Sequence, residues 1–449
     1  MSAPEAAYIP PYPPRPVQTP PLLEHIRLFR RSVLDVWTVP TFGAAFFHSK
    51  VLRKTIYVCN SPETVREAFV EKADIFERKS PQQRFALEPL LGDGLFVSEG
   101  DTWRARRRAV APVTHASRMA EQAPVMTEVA GEWHARWAAQ APGAELDVLE
   151  EMAQMTAEVI CRTLFGRNLG HDASATVVHA FSAYQARVSQ TAIGAMLGLP
   201  EWISRLNNFH TRPQARRIQK VLDGLIADVL RNPEGDASLV RAMAALQAME
   251  PWALRNEAAT LFMAGHETTA NTLAWAWFLL SNAPWAAQRL REEARGVLAG
   301  RAATHEDVAA LPYTRAVIEE TLRLYPPVPL LAREAMVDTQ VNGVDIARGS
   351  LMLVVPWLLH RNPNLWSEPD RFLPERFIDG QPLRYSYVPF SIGPRVCTGQ
   401  QFGLVESIIC LATLAQDFAP VVRPGHDVQP VSRLTLRPGA NLPMLLHRA

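Results

Sequence analysis

The feature that most restricts how this chain can fold is the long run of residues 118–300. Its apolar residues recur at helical spacing almost throughout, with breaks only near residues 143–145, 166–170, 232–236 and 250–251. No repeat of fixed period runs through it. Strand patterning is confined to residues 44–59, 340–346, 351–355 and 431–446. The expected fold is therefore mainly α with a smaller β-rich region. At 449 residues, 48% hydrophobic and 20% charged, the chain can bury a large core, as up to three average domains or one large one.

Charge excludes some partners. The 46 basic and 45 acidic residues leave a net charge of +1, so nothing global attracts nucleic acid or an acidic membrane. The four cysteines, Cys59, Cys161, Cys397 and Cys410, form no Cys-x-x-Cys pair, which suits a reducing cytoplasm. Residues 1–21 hold eight of the 36 prolines and read as an extended arm that wraps the surface or stays mobile. Residues 22–449 remain for the folded part, expected as one large domain if the resemblance described below holds. No window has the roughly 18 uninterrupted apolar residues of a membrane span.

Along the chain, residues 22–37 read as a helix, and Ser61 before Pro62 as a helix start. Residues 79–100 break into Pro, Gly and isolated apolar positions and read as a loop, apolar enough to cover something. In Phe390-Ser-Ile-Gly-Pro-Arg-Val-Cys-Thr-Gly399 a single cysteine stands among glycines, after an arginine. Gly393 and Gly399 permit turns that aim amide N–H groups at a Cys397 thiolate, Arg395 can answer its charge, and a helix follows. A core cysteine in a Gly-rich turn fits those residues equally well.

The loop resembles the haem-binding loop of the cytochrome P450 superfamily, Phe-x-x-Gly-x-Arg-x-Cys-x-Gly, matched by Phe390, Gly393, Arg395, Cys397 and Gly399. The resemblance implies a P450 fold with haem b, Cys397 being the proximal iron ligand whose electron push promotes O–O cleavage. Thr398 stands where the family is usually apolar. Other stretches follow the family in order, from Trp103 to Phe402. Trp103 and Arg107 match a Trp-x-x-x-Arg pair contacting a haem propionate, and Arg333 sits at another propionate contact. Without the resemblance, the helix that carries Trp103 reads as a solvated basic helix.

The segment Ala264-Gly-His-Glu-Thr-Thr-Ala270 interrupts a long apolar helix, residues 252–281, with polar groups. It could be a tolerated kink. It resembles the family's Ala-Gly-x-Asp/Glu-Thr motif, which implies that Thr268 stabilises the iron-bound hydroperoxo group and Glu267 feeds protons through water, with His266 facing elsewhere. Glu320-Thr-Leu-Arg323 alone is a common surface pair. Within the family pattern it is the Glu-x-x-Arg helix, and Arg376 of Pro374-Glu-Arg-Phe377 completes a structural network that fixes the Cys397 loop.

The implied activity is insertion of one atom of O2 into a small apolar substrate, a fatty acid, terpenoid or aromatic. By family position the pocket is lined by Phe85, Leu91, Phe96, Phe262, Ala264, Val328, Leu331 and Leu434. No flavin or nicotinamide fingerprint is visible. A ferredoxin or flavodoxin-type donor with its reductase is expected, docking near Arg104, Arg106 and Arg108. The resemblance is to soluble bacterial members, so a cytoplasmic monomer is expected. A peroxide-driven member of the family would dispense with Glu267 and Thr268, and a haem sensor would give them no role.

Overall fold

The computed structural model describes residues 8–51, 54–166, 184, 212–231, 238–246, 249–432 and 434–449. Helices α1 (Leu22–Arg31) and α2 (Val39–Gly43) lead to the hairpin β1 (Phe46–Val51) and β2 (Lys54–Cys59), then α3 (Pro62–Arg66). Ser61 caps α3 through a capping box. Its hydroxyl accepts the Thr64 N–H at 3.4 Å while Thr64 Oγ1 accepts the Ser61 N–H at 3.3 Å. Helices α4 (Pro81–Leu91), α5 (Gly100–Val110), α6 (Met119–Ala138), α7 (Val148–Phe165), α8 (Arg212–Arg231) and α9 (Leu239–Leu246) precede α10 (Pro251–Asn282). After it come α11 (Pro284–Leu298), α12 (Pro312–Leu324), α13 (Pro356–Leu359) and α14 (Gln400–Ala415).

Helix α10 is the axle of the fold. Its 32 residues start on Pro251, preorganised for a first helical turn, and most are buried. It lies along α7 and also touches α4, α8, α12 and α14. Ring packing fixes its second half: Trp277 meets Trp137 at 5.8 Å between centroids, and Trp275 stacks flat on Tyr325 at 3.6 Å.

The β-rich region is small, as expected. One five-stranded sheet runs β1, β2, β8 (Leu351–Val354), β5 (Leu331–Glu334) and β3 (Arg78–Lys79), with β2 and β8 parallel. A three-stranded sheet joins β4 (Glu145–Asp147), β12 (Pro443–Arg448) and β9 (Phe418–Val422). Two hairpins remain, β6 (Thr339–Val341) with β7 (Val344–Ile346), and β10 (Val431–Ser432) with β11 (Leu436–Arg437).

Residues 81–91, expected as part of a loop, are a helix. Pro89 reads as a breaker in sequence, but it sits in the last turn of α4, where Leu87, Leu90 and Leu91 are buried. Gln219 of α8 donates to the carbonyls of Pro89 and Leu90 at 3.2 and 3.1 Å, supplying partners that a free helix end lacks. The apolar loop that remains, residues 92–99, covers the start of α10. The Leu95 amide donates to both oxygens of Glu257, at 3.0 and 3.1 Å. Gly92, at φ +55°, lies so close to Asn256 that a Cβ would stand 2.3 Å from its amide nitrogen.

The proline arm, from Tyr8 onward, is laid against the core. Phe372 N–H donates to the Tyr8 carbonyl at 3.0 Å, Tyr325 hydroxyl to the Pro11 carbonyl at 2.7 Å, and Arg15 Nη1 to Asp370 at 2.9 Å. Proline carbonyls serve well here because an extended arm without internal hydrogen bonds leaves every acceptor available.

Candidate active site

The Cys397 loop is built by local turns. Cys397 N–H donates to the Phe390 carbonyl at 2.9 Å, and Val396 N–H closes a tight turn on Gly393 at 3.0 Å. Gly393 has φ +66°, and a Cβ there would meet the Phe69 carbonyl at 2.1 Å, so only glycine fits. Cys397 has accessible surface, yet it lies deep enough that burial raises its thiol pKa, with the Gly399 amide and the charges of Arg107 and Lys79 opposing.

Four cations converge beside it. Arg107, from α5, donates to the Val396 carbonyl at 2.7 Å. Arg395 donates to the Ser98 carbonyl at 2.9 Å and lies 4.2 Å from the centre of the Trp103 ring. Arg333 on β5 is buried, and among the described residues its guanidinium donates to the adjacent Ala332 carbonyl, at 3.0 Å. Lys79, its cross-strand partner on β3, is buried with Nζ 3.2 Å from the centre of the Phe96 ring. Burial pushes all of these down, Arg333 to about 10, Arg395 to about 9, and Lys79 well below its ordinary value. Among the described residues neither Arg333 nor Lys79 has a carboxylate within ion-pair distance. Buried cations without counter-charge are costly, so the donor set suits a ligand carrying carboxylates beside a metal that takes sulfur. A haem, with two propionates and an iron, meets both demands.

On α10, Ala264 is exposed and Gly265 and Thr268 are half-exposed, although Phe262, His266, Glu267 and Thr269 around them are buried. Ala264 and Thr268 face open space, whereas Gly265 lets Ile160 of α7 pack close, a Cβ there standing 2.8 Å from the isoleucine side chain. Thr268 Oγ1 donates to the Ala264 carbonyl at 2.7 Å. His266 is elsewhere: it stacks on Phe262 at 4.9 Å, its Nδ1 lies 3.1 Å from the Phe262 carbonyl, and burial lowers its pKa. Phe262, expected in the same wall as Ala264, is two residues away and hence roughly 200° round the helix, fully buried.

Glu267 points to the β10–β11 turn. Its Oε1 accepts from Thr435 Oγ1 at 2.6 Å and from Arg437 at 3.1 and 2.6 Å. Of the other pocket candidates, Leu91 and Leu331 are buried, while Phe96, Val328 and Leu434 are half-buried. Leu436 N–H donates to the Pro327 carbonyl at 2.9 Å, which brings the segments of Val328 and Leu434 together. The side chain of Phe85 lies outside the described residues.

Glu320 and Arg323 are both fully buried and paired twice, at 2.6 and 2.7 Å. Arg376 Nε and the Leu373 N–H also reach Glu320, at 3.2 and 2.9 Å. The remaining Arg323 protons go to the carbonyls of His360, Pro369 and Arg371, at 2.8, 2.7 and 2.9 Å. His360 carries the link onward, since its Nε2 accepts the Val388 N–H at 2.9 Å, two residues before Phe390.

Sequence reasoning missed Lys79, a lone lysine in no motif, and the Thr435–Arg437 partners of Glu267, visible only as an alternating strand. It also placed Arg106 on a docking surface. The structure turns Arg106 inward, onto Asp93 at 2.9 Å and Glu257 at 3.4 Å, because the covering loop and α10 bring acids to that side of α5. Arg104 and Arg108 are exposed.

Fold and donor set together suit a haem protein. The cytochrome P450 family model matches residues 17–443, and the chain belongs to that family. Cyclooctatin synthase of Streptomyces melanosporofaciens is 32% identical over 435 residues, covering 93% of this chain and 92% of that one. Cyclooctat-9-en-7-ol 5-monooxygenase of the same organism is 28% identical over 410 residues, covering 88% and 86%. The crystal structure of cytochrome P450DA heme domain superposes with a TM-score of 0.81, 22% identity and 98% coverage of both chains. The protein is a monooxygenase that uses haem, O2, a substrate and a redox partner. No helix among the described residues is long and apolar enough to cross a membrane.

Proposed function

We propose that this monooxygenase acts on an apolar cyclic terpenoid, holds haem b through Cys397, and draws electrons from a ferredoxin or flavodoxin-type donor. The observation that carries the cofactor reading is the pair of buried cations, Lys79 and Arg333, with the half-buried Arg395, beside an accessible thiol. Support for the substrate class comes from the apolar wall candidates Phe96, Val328 and Leu434 and from the names of the two Streptomyces relatives, one of which is named for oxygenating position 5 of cyclooctat-9-en-7-ol, an unsaturated alcohol.

Haem, when bound, supplies the reduction of dioxygen and the insertion of one of its atoms. The chain does the rest. Cys397 Sγ binds the iron. Arg107, Arg333, Arg395 and Lys79 would neutralise the propionates, Trp103 would help to orient them, and Phe390 and Gly399 shape the loop around the sulfur. Ala264 leaves room on the oxygen side of α10. Thr268 offers a hydroxyl there that can hold a proton in place, and Glu267 would take a proton from solvent and pass it on through water. Exposed Arg104 and Arg108 suit an acidic donor protein.

The test is an optical titration of the ferric protein with cyclooctat-9-en-7-ol, dodecanoic acid and a small aromatic, following the low- to high-spin change. A saturable change with the terpenoid alone is expected. Saturation by only the fatty acid or the aromatic would overturn the terpenoid class.

A further inference from the structure

We infer that Glu257 is a positioning residue for the cations beside Cys397: by holding the Leu95 amide it seats residues 92–99 on α10, and that seated loop sets the side chains of Lys79 and Arg395. This rests on the reading of those cations as propionate partners.

The seat is built on close approach. Asn256, Glu257 and Thr260 lie near the start of α10, with Asn256 and Thr260 one turn apart on the same face. The loop backbone rests directly on them. A Cβ at Gly94 would stand 2.2 Å from Thr260 Oγ1, so a glycine there lets the chain down onto the helix. The Leu95 amide then falls between the two oxygens of Glu257, at 3.0 and 3.1 Å, and the Glu257 side chain has no exposed surface. Around it, Asp93 accepts from Asn256 at 2.9 Å and pairs with Arg106 at 2.9 Å, while Arg106 lies 3.4 Å from Glu257. Burial pushes the Glu257 carboxyl up to about 7, with the Leu95 amide and Arg106 pulling it down and Asp93 adding to the rise. Either protonation state keeps an acceptor oxygen for the Leu95 N–H, so the hold does not depend on charge.

The loop passes this hold to the cations because it is stiff. The Gly94 carbonyl accepts the N–H groups of both Val97 and Ser98, each at 3.0 Å, so residues 94–98 move as one unit. Within that unit the centre of the Phe96 ring stands 3.2 Å from Lys79 Nζ, and the Ser98 carbonyl accepts from Arg395 at 2.9 Å. The next residue, Glu99, pairs with Arg78 at 3.1 Å, which ties the end of the loop to β3 beside Lys79. Long cationic side chains lose much rotamer freedom when they are fixed. One loop supplies the contacts that fix both, and Glu257 fixes the loop.

The experiment follows haem transfer from the loaded protein to an excess of apomyoglobin, with amide hydrogen exchange measured on the same variants. Glu257→Leu is expected to speed exchange of the Leu95 amide and to release haem about fivefold faster, whereas Glu257→Gln, which keeps an acceptor, should stay near wild type in both. In a Lys79→Met chain, which releases haem faster by itself, the effect of Glu257→Leu on release should shrink, while the losses of the two variants in thermal unfolding add. Phe96→Leu should release haem as Glu257→Leu does with the Leu95 amide still protected, and it carries the test if Glu257→Leu does not fold. The inference is overturned by a Leu95 amide that exchanges at the wild-type rate in Glu257→Leu, by wild-type haem release in Glu257→Leu or Phe96→Leu, or by release effects of Glu257→Leu and Lys79→Met that multiply in full. Wild-type haem release in Lys79→Met instead overturns the reading of Lys79 as a propionate partner, and the inference falls with it.

Discussion

Two buried groups of charges, one behind the Cys397 loop and one beside it, are built on opposite terms. Around Glu320 every charge meets its match inside the chain: two arginines and a backbone amide serve the carboxylate, and three carbonyls take what Arg323 has left. Beside Cys397, Lys79 and Arg333 are also buried but, among the described residues, are answered by a carbonyl and aromatic faces, and the half-buried Arg395 has only a long contact to Glu77, at 3.9 Å, besides its carbonyls and the Trp103 ring. The first group is a finished scaffold that needs no ligand. The second is electrostatically lopsided, and the chain tolerates it because the rigid first group and the sheet hold those side chains in place. A balanced cluster of that kind serves stability, while an unbalanced one serves binding.

Breaking the balanced side should cost most. Glu320→Gln leaves two buried guanidinium groups short of a partner, and a loss of about 3–5 kcal/mol in urea unfolding is expected. A loss under about 1 kcal/mol would mean that the network is not the scaffold described here.

His360 tests the joint between the two regions. Burial, with Arg323 and Arg361 adding, lowers its pKa from 6.5 to about 3, so it stays neutral and Nε2 can accept the Val388 amide. A base depressed in the fold gives stability that is present above 6.5 and is lost as pH falls towards 3. By pH 5 the loss should be about 2 kcal/mol, and His360→Gln, which keeps an acceptor, should flatten that acid slope in thermal melts.

On the unbalanced side the effect is smaller and of a different kind. Lys79→Met removes a buried charge with no carboxylate partner among the described residues, so the circular dichroism of the protein should hardly change. Haem should leave to a scavenger about tenfold faster, worth ~1.4 kcal/mol. Equal haem retention in Lys79→Met and wild type would remove Lys79 from the propionate set and narrow the contrast.

Much of this was legible in the amino-acid order, for definite reasons. The Cys397 loop is local: its glycines, arginine and cysteine act within ten residues, so spacing carries the geometry. Glu320 and Arg323 are one helical turn apart, and Arg376 was recognisable from its Pro-Glu-Arg-Phe setting. What could not be read was set by distant chain. Helix α4 reads as a loop in sequence because its support, Gln219, lies well over a hundred residues away. Arg106 looked like a free surface charge until Asp93 and Glu257 were folded onto it.

By itself, then, the sequence determined the family, the mainly α architecture, the cysteine loop and the acid-threonine pair of α10, since each depends on periodicity or on contacts within a turn or two. Only the tertiary structure decided which cations surround Cys397, where the proline arm lies, and which way Glu267 points. Those depend on pairs as remote as Glu267 and Arg437, and an ion pair between distant residues leaves no pattern in either segment that forms it.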